Sequence, residues 1–127
     1  GWHNLQFLSA LGTFRIWTEL PSVHKVFHWH GDTFTLPEGV ALIASSRAFP
    51  HQGFIFRNEV VALQFHLEMT PSGVKALVEH GRSELTGGPF VQNEEEILEE
   101  NCCFETNHEL MFRLLDYLSG QVSSRKP

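Results

Sequence analysis

"VVALQFHLEMTPSGV", residues 60–74, runs from an apolar stretch directly into a helix start. Val60 to Phe65 carry the β-branched and apolar side chains of a buried strand. Thr70 suits an N-cap and Pro71 the first helical position. Between these two signals stand His66 and Glu68. Side chains alternate along an extended chain, so Gln64, His66 and Glu68 share one side and Phe65 and Leu67 the other. In open α/β sheets ligands bind outside the carboxyl ends of parallel strands, where helix N-termini also point, and His66 and Glu68 are expected at such an end. An imidazole bonded to a carboxylate is fixed in tautomer and raised in basicity. Its second nitrogen is then left to take a proton from a nucleophile. The plainer alternative is a histidine that caps a strand and a glutamate that opens a helix.

Outward from this stretch, the first two thirds of the chain read as strands separated by turns. "HNLQFL" (3–8) and "TFRIWT" (13–18) flank "SALG", "KVFHWH" (25–30) stops at Gly31-Asp32, and "LPEG" precedes "VALIAS" (40–45). That last run is continuously apolar, as in a strand covered on both faces. "GFIFR" (53–57) and "VVALQFH" (60–66) flank a tight turn expected at Asn58-Glu59. After Thr70 the pattern turns helical, with Val74, Leu77, Val78 and Leu85 on one stripe, although Gly73 stands where a capping box would want glutamate. "GGP" (87–89) breaks the chain and "NEEEILEEN" (93–101) forms a short acidic helix whose first glutamates suit the helix dipole. A final helix over about 105–120 places Met111, Leu114, Leu115 and Leu118 on a core-facing stripe.

The bulk composition narrows the function classes. A chain of 127 residues, 42% hydrophobic, is one domain's worth or part of a larger domain with a real core. Its net charge of −6 argues against a general nucleic-acid binder, which carries a basic patch. No apolar run approaches the about 20 residues that span a bilayer, and no signal peptide is visible after Gly1. The two cysteines, Cys102 and Cys103, are adjacent, which implies no disulfide framework and a reducing, cytoplasmic setting.

Two further clusters compete for a chemical role. In "HWHGDTF" (28–34), His28, His30 and Asp32 would face one way if the strand continued, and with His66 they could ligate a metal. Against that, Thr33 stands where metallo-β-lactamase-type hydrolases place a further histidine, and Glu38 comes too late for a cupin pattern. Cys102 and Cys103 lie among carboxylates in "LEENCCFETNHE", which disfavours a thiolate, and no glycine-flanked elbow surrounds them. They read as small buried hydrophobes at a helix start. That leaves a base without a nucleophile.

"VFHWHGDTFTLPEGVALIASSRAFPHQGFIF" followed by "VVALQFHLEMTPSGV" resembles the C-terminal half of a class I glutamine amidotransferase of the stand-alone, GMP-synthase-like type, and "GWHNLQF" resembles the strand that opens that half. The resemblance covers about residues 1–80; residues 81–127 add a helical tail, and the whole of 1–127 would be part of one domain. It implies an α/β, flavodoxin-like three-layer fold, here a partial domain with a mixed sheet plus C-terminal helices. It also implies a Cys-His-Glu triad that hydrolyses the glutamine side-chain amide and hands ammonia to an acceptor, with no cofactor. In that scheme His66 is the general base and acid and Glu68 the carboxylate that orients it. The turn at His30, Gly31 and Asp32 corresponds to the segment whose backbone helps hold the substrate's α-amino and carboxylate groups. His28 receives no task, and Leu67 replaces the usual proline.

The family's Gly-x-Cys-x-Gly elbow and oxyanion glycines belong to its first half and would precede Gly1. The resemblance therefore predicts a piece of a longer protein that is inactive alone, because nucleophile and oxyanion donors are both elsewhere. Its expected partners are glutamine, the N-terminal half or a synthetase or acceptor domain, and a second copy through an exposed sheet edge. Two other readings stay open at this point: a metal-binding protein built on the HWHGD cluster, and a non-catalytic interaction domain of the same fold.

Overall fold

The computed structural model describes residues 1–8, 22–101 and 103–123. The expected strand at 13–18, the turn before it, Cys102 and the tail from Ser124 lie outside the described residues. Among the described residues five strands, β1 (Trp2–Phe7), β2 (Val23–Phe27), β3 (Ala41–Ser46), β4 (Gly53–Phe56) and β5 (Val60–Leu63), form one sheet in the order β2-β1-β3-β4-β5. Three α-helices follow, α1 (Pro71–Gly81), α2 (Glu94–Glu99) and α3 (Phe104–Ser123), with a 3₁₀ turn at Arg82–Glu84. The α/β class and the sheet with C-terminal helices match the sequence. The pairing corrects it: every pairing among the described strands is antiparallel rather than mixed.

Both strands expected to carry the site end early. β2 stops at Phe27 instead of His30, and β5 stops at Leu63 instead of His66. After β5 the chain bends, and His66 forms an isolated antiparallel bridge with Phe27 of the opposite edge strand. The sheet is thus curled until the segment beyond its last strand meets the end of its first. No local periodicity signals such a closure, since it depends on contacts about forty positions apart.

The hairpin between β4 and β5 is centred one residue earlier than expected. Arg57 and Asn58 both take left-handed conformations (φ 49° and 62°), and the Glu59 N–H donates to the Phe56 carbonyl at 3.1 Å. This is the geometry of a type I′ turn, whose twist matches the flanking strands.

Two apolar clusters cover the curled sheet. On one face Leu5, Phe7, Val26, Ile43, Ala44 and Ile55 pack with Phe65, Leu67 and the α3 residues Leu110 and Leu114. On the other, Trp2 and Phe27 meet Val74 and Val78 of α1, Ile97 of α2 and Phe104. Trp2 stands edge-on to Phe27 and to Phe104, and its indole N–H donates to the Ile97 carbonyl at 3.2 Å. Each fully buried side chain of this size contributes roughly 1.5–3 kcal/mol. In α3 the core stripe runs through Leu110 and Leu114, with Met111 and Leu118 partly buried, whereas Leu115 is exposed and leaves the expected stripe. No helix among the described residues is long and apolar enough to cross a membrane.

Candidate active site

Each part of the 66–70 segment is held from a different direction. Leu67 is fully buried in the core, which turns its neighbours His66 and Glu68 outward. The His66 backbone N–H donates to the Phe27 carbonyl at 2.9 Å. The Met69 carbonyl accepts a hydrogen bond from the His108 imidazole of α3 at 2.9 Å. Thr70 caps α1 by accepting from the Gly73 N–H at 3.1 Å, and Pro71 fills the first turn, as the sequence predicts. The imidazole thus projects from a backbone anchored at both sides.

His66 and Glu68 are bonded. The imidazole Nδ1 lies 2.6 Å from Glu68 Oε1, and Glu68 Oε2 accepts the Leu67 backbone N–H at 3.0 Å. With both oxygens engaged, the carboxylate plane is fixed and holds the ring through Nδ1. Nε2 then faces away from the carboxylate. Burial alone would raise the Glu68 carboxyl. The hydrogen bond from His66, the backbone N–H bonds and the imidazole's charge outweigh it, holding the group below its ordinary range. The pair is reachable, with side-chain exposures of 35% and 55%.

His30, Gly31 and Asp32 follow Phe27 closely and are exposed. They form a compact bend in which His30 Nδ1 bonds the Asp32 carbonyl at 2.8 Å. Trp29 clamps this bend to the helical layer. Its ring stacks beside Phe27, its indole N–H donates to Glu84 at 2.9 Å, and it packs so tightly on Gly81 that a Cβ there would lie 2.6 Å from Cζ2. Phe27 therefore links the two halves of the candidate site, bonding His66 directly and leading into the bend.

His28 departs from the expected His-x-His-x-Asp row. It is buried, pairs its backbone with Gly1 through two hydrogen bonds, and sits between the rings of His3 and His30. Burial, followed by the nearby charges of His30, His3, the Gly1 amine and His66, pushes its imidazole down to about 3, so it stays neutral. Among the described residues no group of three or more histidine, cysteine, aspartate or glutamate side chains could hold a metal ion, which corrects the HWHGD metal reading. Cys103 is buried just before α3 and its carbonyl accepts the Asn107 N–H, a structural position as expected.

A cleft of about 490 Å³ opens beside the bend, and sequence reading missed it. Its wall includes His3, His28, His30, Gly31, Ser46 and Gln52, roofed by residues of the 84–91 loop; His66 and Glu68 lie outside it. Gln52 is fully buried, an unusual state for its type, and "PHQGF" gave one faint signal in a polar side chain next to a strand glycine.

Several solved structures share this fold. A glutamine amido transferase from Methylobacillus flagellatus aligns with 94% of this chain at 23% identity and a TM-score of 0.84. A glutamine amidotransferase from Thermotoga maritima aligns with 93% at 28% identity and a TM-score of 0.71. The protein SMU.1228c aligns with 94% at 26% identity and a TM-score of 0.80. This chain covers 51%, 49% and 51% of those chains, so it spans about half the length of the structures it matches. No family model and no curated protein matches it. The chain has the fold of about half of a glutamine amidotransferase.

Proposed function

We propose that this chain is the base-carrying, C-terminal half of a class I glutamine amidotransferase domain, with residues 1–127 part of that single domain and 81–127 its helical tail. The observation that carries the reading is the 2.6 Å bond between His66 Nδ1 and Glu68 Oε1 on a backbone fixed at both sides. In this reading the nucleophilic thiol comes from the other half. Its proton passes to His66 Nε2 and the sulfur attacks the glutamine side-chain amide carbon. The imidazolium returns that proton to the nitrogen, ammonia leaves, and a thioester remains. His66 then draws a proton from water, which attacks the thioester and releases glutamate and the thiol. Glu68 stays ionised and holds the imidazolium.

The bend at His30, Gly31 and Asp32 holds the substrate's α-amino and carboxylate ends through its exposed backbone. The ammonia acceptor lies on another domain or chain, and the GMP-synthase-like flavour of the sequence points to amination of a purine-related or other small molecule. A thiol mechanism suits a reducing cytoplasm. Produced alone, the chain releases no ammonia, and Val23 and Val60 on its two edge strands give a second copy somewhere to pair. The test is ammonia release from glutamine by the complete protein and by its His66→Ala form. Equal rates reject the base assignment, and a complete protein with no thiol and no activity leaves a non-catalytic domain of this fold.

A further inference from the structure

Among the described residues four buried side-chain atoms lack a hydrogen-bond partner: His3 Nε2, His28 Nε2, Gln52 Oε1 and Gln64 Oε1. Buried polar atoms are nearly always paired in a complete fold, because an unpaired one keeps its full desolvation cost. Here the exceptions are not scattered. His3, His28 and Gln52 all belong to residues that line the 490 Å³ cleft. Gln64 is the cross-strand neighbour of Gln52, its N–H donating to the Gln52 carbonyl at 2.9 Å. Strand register puts His3 opposite Val26, on the sheet face that α3 covers through Leu110 and Leu114. None of the described residues lining the cleft comes from α3. The rim is apolar, with Phe90 and Val91 well exposed beside Leu85 and Trp29.

We propose that this cleft is the seat of a polypeptide segment from the other half of the domain, which fills the unpaired positions at His3, His28 and Gln52 and sets apolar side chains against Phe90 and Val91. The inference rests on the proposed function only in naming the partner; the seat itself follows from the cleft. A hydrogen-bonding floor under an apolar rim suits a peptide, which offers backbone donors and acceptors together with apolar side chains. The structures of this fold supply the occupant, since each continues for about as much chain again as this one covers. The seat also bears on the chemistry. His30 and Gly31 line the cleft and form the candidate substrate bend, so a segment lodged there is brought to the site's edge.

The test is a chimera in which this chain replaces the aligned half of the Methylobacillus flagellatus protein, compared by NMR with the isolated chain. Methyl signals of Leu85 and Val91 should shift and show contacts to the first half, and amide exchange at Trp29 and Gln52 should slow at least tenfold. The methyls of Leu115, exposed on α3, should stay where they are. A chimera that melts cooperatively while Leu85 and Val91 keep their isolated-chain signals overturns the inference. If the chimera does not fold, the first half is added as a separate polypeptide to the labelled chain. Shifts at Trp29, Gln52 and Val91 then support the seat, and their absence overturns it. Ammonia release measured on the same samples separates the two claims. Cleft contacts without activity keep the seat and reject the enzyme reading, whereas activity with an untouched cleft does the reverse.

Discussion

The backbone N–H of His66 donates to the carbonyl of Phe27 at 2.9 Å, joining the segment after β5 to the end of β2. That bond ties the backbone carrying the imidazole to the strand that leads into the His30–Asp32 bend. Leu67, buried beneath, fixes the backbone on which the ring stands.

The carboxylate's role predicts the first outcome. Glu68→Gln keeps the size of the side chain but offers an amide in place of the charge that steadies an imidazolium. In the complete protein kcat should fall by about 10⁴-fold, the loss seen when the orienting acid of a triad is neutralised, with the melting temperature nearly unchanged. Activity within a factor of two of wild type would remove Glu68 from the mechanism.

Acid should weaken the fold through His28. Its imidazole is held neutral in the folded state, down to about 3, while in the unfolded chain it titrates near 6.5. Protons therefore bind the unfolded state more readily. The stabilisation is whole above pH 6.5 and is lost progressively as pH falls from there toward 3. Urea titrations of the chain should show the decline, amounting to about a few kcal/mol at pH 4. His28→Phe should flatten that limb; an unchanged slope would place the acid sensitivity elsewhere.

Gly81 should prove intolerant of a side chain. A Cβ there would lie 2.6 Å from the Trp29 ring, which would have to leave its place between Phe27 and Glu84. Gly81→Ala should cost about 1–3 kcal/mol by overpacking, despite alanine's better helix propensity. In the complete protein it should raise KM for glutamine more than it lowers kcat, because the bend hangs from Trp29. A stabilised variant with unaltered KM would contradict the clamp.

The β4–β5 turn offers a stabilising change. Arg57 and Asn58 hold positive φ, and the type I′ turn they form favours Asn-Gly at these two positions. Replacing them together, Arg57→Asn with Asn58→Gly, should raise stability by about 0.5–1 kcal/mol, less whatever the Arg57 contact with the Phe56 ring contributes. Urea unfolding of the double variant checks this, and a loss of stability would show that the ring contact outweighs the turn.

Much of the architecture was legible because it is local. Thr70-Pro71 announced α1, the acidic run at 93–101 announced α2, and the apolar run from Val60 announced β5. The His66–Glu68 contact was readable for the same reason, being a spacing of two. What escaped depends on distant partners. β2 and β5 stop early because the sheet curls until His66 meets Phe27, and neither sequence alone carries that instruction. His28 looked like a ligand in an alternating row, yet the strand ends just before it and the ring turns inward among other histidines. Leu115 fell on the helical stripe by periodicity, but α3 meets the sheet through Leu110 and Leu114 instead. The cleft was invisible, since its walls come from four separated segments.

The central claim is that His66 takes the proton from a thiol lying outside this chain. The most direct measurement is the rate at which iodoacetamide alkylates the nucleophilic cysteine of the complete protein near pH 7, with and without His66→Ala. Thiolate is the reacting form, so a working base raises its fraction. The account predicts at least a tenfold slower alkylation in the variant, converging with wild type at alkaline pH. Equal rates at every pH would contradict it.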